Sequence, residues 1–264
     1  MPDCHDRVWL ACHGDYDLVE GALATEGLAW LALAVLVAGI VRGFTGFGSA
    51  LVYLPIAAMF LPPTWVVATA VTFSIFGPLP LLPQAWGQAD KRELARLAIA
   101  AAVAIPLGVL LLAELDPLVF RWVVSGVAVA TLLVLASGWR YAGAVSAPMG
   151  LAAGFVSGIM GGFVGLPGPP VILLYLSGQK KAAEIRAVIL LFLFTTDVVV
   201  LGVLWLQGLV TAEAFWVGVL LVPSYMAGGL IGKRLFDPRR ERLFRGVAYG
   251  IILLAAVTGL PVFD

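Results

Sequence analysis

Two glycine-rich stretches contain the residues best suited to chemistry. RGFTGFGS at 42–49 and GGFVGLPGPP at 161–170 each interrupt a long apolar run. Glycine and proline at such positions predict backbone that leaves one helix and starts another, so that N–H groups without helical partners are exposed. Such groups, together with the positive end of a helix dipole, favour a negatively charged ligand. The two stretches therefore predict an anion site.

The residues expected to contact this anion offer a charge, a hydroxyl or accessible backbone. They are Arg42, Gly43, Thr45, Gly46, Gly48, Ser49, Gly161, Gly162, Gly165, Gly168, Pro169 and Thr195. Two interpretations stay open for several of them. Glycines at helical spacing within 39–43 and 154–158 are equally suited to close helix packing. Arg42 either faces the anion or extends to the lipid headgroups, and Thr195 either binds the ligand or bonds a backbone carbonyl.

Asp197 is a lone acid in the apolar run 185–207, in the sequence FLFTTDVVV, and the nearest charge along the chain is Arg186. An acid at the centre of a bilayer costs about 2.5–3.5 kcal/mol on insertion scales. Such residues face a cavity, pair with a cation or carry protons. Asp197 is therefore predicted to couple transport to an ion, most simply a proton, and the alternative is a structural role at a broken helix.

The composition indicates that these residues lie in a membrane. Hydrophobic residues make up 61% of the 264 residues, charged residues 12%, and the mean hydropathy is +1.02. A soluble domain carries about 25% charged residues. Apolar segments recur along the chain and predict an all-α polytopic membrane protein of about 8–10 membrane segments. No nucleophile–base pair, metal-ligand cluster or phosphate loop is present, so we expect no enzyme, cofactor or metal site.

The two halves of the chain resemble one another. AGIVRGFTG at 38–46 matches AGFVSGIMG at 153–161, and a second match joins 106–117 to 228–238. The sequence thus predicts two inverted-topology repeats with interrupted or re-entrant glycine-rich helices, an architecture that binds substrate at the repeat interface. The predicted boundaries are an acidic tail at 1–26, repeat 1 at 27–139, a linker at 140–147 and repeat 2 at 148–264.

The distribution of basic residues predicts the orientation. If each interrupted stretch forms a hairpin, all of the 16 Lys and Arg residues except Arg7 and Arg121 fall on the cytoplasmic side, as the positive-inside rule requires. Single crossings would instead export the basic loop at 87–94. We therefore expect a multi-pass protein of a bacterial cytoplasmic membrane with both termini outside. The bases act as topology signals, so no nucleic-acid partner is expected.

The stretches 42–55 (RGFTGFGSALVYLP), 161–176 (GGFVGLPGPPVILLYL) and 184–197 (EIRAVILLFLFTTD) resemble the sulfite exporter TauE/SafE family, the toluene sulfonate uptake permeases. The resemblance implies a cofactor-free secondary transporter of a small anion such as sulfite, sulfoacetate or another organosulfonate, of the exporter type and working by alternating access. Val164 and Pro167 depart from the family's second glycine motif. The alternatives are an anion channel and an uptake carrier for short organic acids.

Overall fold

The computed structural model describes residues 21–25, 27–137, 145–175, 182–235 and 241–262. Most of the predicted acidic tail and of the linker lies outside these residues. The described residues form helices and no β-strand. The helices are α1 (Leu28–Thr45), α2 (Ser49–Ala57), α3 (Pro63–Phe76), α4 (Leu82–Gln88), α5 (Lys91–Ala113), α6 (Pro117–Ala136), α7 (Ala147–Val164), α8 (Gly168–Tyr175), α9 (Ala182–Leu206), α10 (Ala212–Leu235) and α11 (Glu241–Thr258).

Six of these helices, α1, α5, α6, α7, α9 and α10, are long and apolar enough to cross a membrane. A further candidate is α3 continued by Leu79–Gln88, with a bend of 41°. The helices α2 and α8 have only nine and eight residues. At about 1.5 Å per residue they reach less than half of a hydrocarbon core of about 30 Å. The all-α polytopic membrane architecture predicted from the sequence is thus confirmed.

The starts of α5 and α6 are set by aspartates. The Asp90 carboxylate accepts from the Arg92 N–H at 3.0 Å, and Asp116 accepts from the Leu118 N–H at 2.8 Å. Each carboxylate satisfies an N–H group that has no partner within its helix. Pro117 follows Asp116 at the first helical position, where its missing N–H costs nothing. These caps fix where two membrane-spanning helices begin.

Helix packing across the two halves depends on glycines. The first helix of each half packs closely on a long helix of the other half, α1 on α10 and α7 on α5. A Cβ added at Gly43 would lie 2.8 Å from the carbonyl oxygen of Gly229, and one at Gly158 would collide with that of Ala101. This exchange of helices is compatible with inverted repeats, and the inverted orientation itself stays a prediction.

Candidate functional site

The first break is a turn of three residues between α1 and α2. Gly46 and Gly48 have φ angles of 80° and 92°, in the left-handed region that favours glycine. The Gly46 N–H donates to the Arg42 carbonyl oxygen at 2.7 Å and closes α1. Ser49 then begins α2 and is buried. The turn therefore ends one helix beside Arg42 and starts a new one at a serine.

The second break lies between α7 and α8. Gly165 has a φ angle of 71°, and its N–H donates to the Gly161 carbonyl oxygen at 3.1 Å. The Leu166 N–H donates to the Met160 carbonyl oxygen at 3.2 Å, so a second carbonyl oxygen near the end of α7 has a partner. Matching the breaks by structure pairs Gly46 with Gly165, whereas the sequence match pairs Gly46 with Gly161. The helix thus continues beyond the matched glycine.

Both breaks open onto one cavity of about 60 Å³. Seven of the predicted residues line it: Arg42, Gly48, Ser49, Gly165, Gly168, Pro169 and Asp197. The first turns of α2 and α8 are both part of its wall, so two helix N-termini meet at the same space. Their partial positive charges favour an anion there.

The two short helices contribute unequal numbers of donors. The first turn of α2 carries the N–H groups of Ser49, Ala50 and Leu51, none of which has a partner within the helix. In α8, Gly168 is followed by Pro169 and Pro170, which have no N–H. Hydrogen bonds to an anion would therefore come mainly from the α2 side, together with the Ser49 hydroxyl.

Arg42 and Asp197 bring the charges to the cavity. Arg42 is half-buried and lies with its guanidinium carbon 5.8 Å from the centroid of the Tyr225 ring. Asp197 is 8% exposed, which makes it a buried acid. The two side chains interact electrostatically, and within the part of the chain that the structure describes they form no salt bridge with one another. The cation thus stays available to a ligand.

Several predicted glycines serve the backbone or the packing instead of the cavity wall. Gly43 lies against α10, and a Cβ added at Gly162 would lie 2.5 Å from the Ile105 carbonyl oxygen of α5. Gly46 is exposed and shapes the turn. Gly161 packs behind Pro167, a residue of the cavity wall, and a Cβ added at Gly161 would lie 3.1 Å from Cβ of Pro167. Gly161 therefore supports the wall indirectly. None of these four glycines lines the cavity.

The two predicted threonines bond to their own helices. The Thr45 hydroxyl donates to the Val41 carbonyl oxygen at 2.9 Å, and the Thr195 hydroxyl donates to that of Leu191 at 2.8 Å. Thr195 lines a different, apolar cavity of about 480 Å³ beside Trp86. The interpretation in which Thr195 bonds a backbone carbonyl matches this geometry, and neither threonine lines the space between the breaks.

Sequence reasoning missed three polar residues near the cavity. Ser74 on α3 and Thr131 on α6 line it, and both are buried. Tyr225 on α10 lies behind Arg42. Ser74 and Thr131 could have been found from the sequence, because each places a hydroxyl within an otherwise apolar span. An aromatic residue such as Tyr225 carries no such signal, because aromatics are common in apolar cores.

A group of carboxylates could hold a cation elsewhere in the molecule. Ligand oxygens of Asp90, Glu93 and Glu184 lie within 4.8 Å of one another. Asp90 already caps α5, however, and none of the three lines the cavity between the breaks. The cluster therefore contributes nothing to the candidate anion site.

The described helices thus form a membrane protein in which two helix breaks meet at one cavity, and Arg42 and Asp197 line that cavity. Residues 31–258 match the model of the sulfite exporter TauE/SafE family, and the chain belongs to that family. Members of this family are transporters and not enzymes. The resemblance seen in the sequence is thus confirmed.

One relative is the probable sulfite/organosulfonate exporter TauE of Cupriavidus necator. The two sequences are 30% identical over 224 residues, which cover 79% of this chain and 84% of the relative. No solved structure is significantly similar to this chain.

Proposed function

We propose that the protein is a carrier that exports a small sulfur oxyanion, with sulfite as the best fit, by alternating access. The anion binds between the first turns of α2 and α8 and against Arg42. The observation that carries this proposal is that both helix N-termini and the cation line one cavity. The relative from Cupriavidus necator, named as a probable sulfite/organosulfonate exporter, supports the same substrate class.

The size of the cavity favours sulfite over larger sulfonates. The space open to the centre of a water-sized sphere is about 60 Å³, which suits a small ligand with few heavy atoms. Sulfite, a sulfur with its oxygens, fits within that limit. Sulfoacetate adds a second acid group on a carbon chain and requires the cavity to widen. Sulfite should therefore bind more tightly than sulfoacetate.

Asp197 supplies the proposed coupling to protons. An ionised carboxylate in the same cavity repels an anion, whereas a protonated one does not. Anion binding and protonation of Asp197 therefore favour each other, and by linkage the effect is reciprocal. The anion and one proton are then expected to cross together. This coupled movement exports sulfite when the outward sulfite gradient is larger than the opposing inward proton gradient.

The test is transport of labelled sulfite into proteoliposomes by the wild-type protein and by Arg42→Gln. A hydrogen bond to a charged group contributes about 1.5–3 kcal/mol, so the loss of this cation should weaken sulfite binding about 10- to 150-fold. Arg42→Lys, which keeps the charge, should recover part of the affinity. Equal uptake by wild type and Arg42→Gln would overturn the proposed site.

Counterflow distinguishes the carrier from the alternative of an anion channel. Proteoliposomes loaded with unlabelled sulfite should transiently concentrate labelled sulfite, because an alternating-access site exchanges one anion for another. A channel passes anions down their gradient and shows no such overshoot. Uptake without an overshoot would overturn the carrier mechanism and favour the channel.

A further inference from the structure

Tyr225 contacts the cavity from behind without lining it. The residue belongs to α10 and is 3% exposed. Its ring centroid lies 5.8 Å from the Arg42 guanidinium carbon, and its hydroxyl donates to the Ser49 hydroxyl oxygen at 3.4 Å. One side chain thus contacts both the cation of the site and the hydroxyl at the start of α2.

The ring of Tyr225 is held in place by α3. Its centroid lies 4.8 Å from that of Phe73 at an interplanar angle of 51°. Gly77, at the end of α3, leaves the space that the ring occupies, since an added Cβ would lie 2.6 Å from Cε1 of Tyr225. The ring therefore has little freedom to move, and its orientation toward Arg42 is set by packing.

We propose, on the basis of the proposed function, that Tyr225 is a positioning residue for the anion site. Its ring holds the Arg42 guanidinium beside the cavity through a cation–π contact. A free arginine side chain loses rotamer freedom when it binds an anion, so a partner that fixes it before the anion arrives improves binding. The Tyr225 hydroxyl orients Ser49 in the same way. Both effects act through neighbouring residues and not by contact with the anion.

The first arm of the test measures sulfite binding by calorimetry to purified wild type, Tyr225→Phe and Tyr225→Leu. A cation–π contact contributes about 0.5–2 kcal/mol, so removal of the ring in Tyr225→Leu should weaken binding about 2- to 30-fold. Tyr225→Phe keeps the ring and loses only a long hydrogen bond, so it should recover most of the affinity. A purely structural role predicts that affinity follows thermal stability across the variants, so a loss of affinity in Tyr225→Leu at unchanged thermal stability distinguishes the positioning role.

The second arm displaces the Tyr225 ring and leaves Arg42, the charged residue that contacts the ring, unchanged. Gly77→Ala places a methyl group against Tyr225, and helical backbone angles at Gly77 (φ −58°, ψ −48°) accept alanine. Gly218→Ala is the matched control, because its Cβ would lie 2.6 Å from Cβ of Thr72 in the same contact between α3 and α10. Gly77→Ala should weaken sulfite binding more than Gly218→Ala does.

The outcomes separate this inference from the proposed function. In a Tyr225→Leu background, Gly77→Ala should have no further effect on sulfite affinity, since the ring that it displaces is gone. Wild-type affinity in Tyr225→Leu, or equal effects of the two alanine variants, would overturn the role of Tyr225 alone. If the leucine variant does not fold, the comparison of Gly77→Ala with Gly218→Ala decides. Failure of the wild-type protein to bind sulfite would overturn the proposed function and this role together.

Discussion

Replacing Asp197 by asparagine removes the one acid among the described residues that line the cavity. One titrating group allows one proton to cross with each anion. A pH difference of one unit is worth about 1.36 kcal/mol per proton, which corresponds to tenfold accumulation of the anion. We expect wild-type proteoliposomes with an outside more acidic by one unit to concentrate sulfite up to about tenfold. Asp197→Asn should only equilibrate it.

The assay is uptake of labelled sulfite with and without the imposed pH difference, with protein-free liposomes as the control for leakage. The asparagine variant encounters the same mixture of sulfite species as the wild type, so the difference between them isolates the carboxyl group. The substituted amide is neutral like the protonated acid, and binding of sulfite should persist with a weaker dependence on pH. Uphill accumulation by Asp197→Asn equal to that of the wild type would refute the coupling role.

Two further predictions concern packing and orientation. Gly158→Ala should destabilise the protein by about 1–3 kcal/mol, because the new methyl group collides with the Ala101 backbone. Gly126→Ala has no neighbour within 4 Å and lies inside α6, so it should leave stability unchanged or raise it by up to about 1 kcal/mol. Equal melting temperatures of the two variants would contradict the packing argument. In a variant without the natural cysteines, a cysteine at Gln88 should resist an impermeant maleimide on intact cells, and one at Glu114 should react. Labelling at Gln88 from outside would refute the predicted orientation.

Residues whose type alone is unusual for their surroundings could be predicted from the sequence. Arg42 and Asp197 stand out as charges in apolar runs, and both line the cavity. The glycines of the two breaks were recognisable because helix interiors disfavour glycine and proline. Gly46, Gly48 and Gly165 have the left-handed backbone that such a break requires. For these residues, the residue type and its immediate sequence neighbours are enough to predict where the residue lies in the structure.

Residues whose role depends on a distant partner could not be predicted. For Gly43 the sequence left ligand contact and helix packing open, and for Gly162 it predicted ligand contact, whereas the structure packs another helix directly against both glycines. Thr195 faces another cavity, and only the rotation of α9 about its axis determines that. Tyr225 meets Ser49 across a sequence separation of 176 residues. Nothing local to either residue indicates that contact.

The central claim, that the anion binds between the two helix breaks, is tested most directly by filling that space. Gly168→Leu places a side chain in the cavity, where the nearest atom to the new Cβ is the flexible end of Ile172 at 3.0 Å. Gly202→Leu is the control, since nothing lies within 4 Å of its Cβ. A ligand at 100 times its Kd stabilises the native state by about 2.7 kcal/mol. Sulfite should therefore raise the melting temperature of wild type and Gly202→Leu but not of Gly168→Leu, and an undiminished shift in Gly168→Leu would place the anion elsewhere.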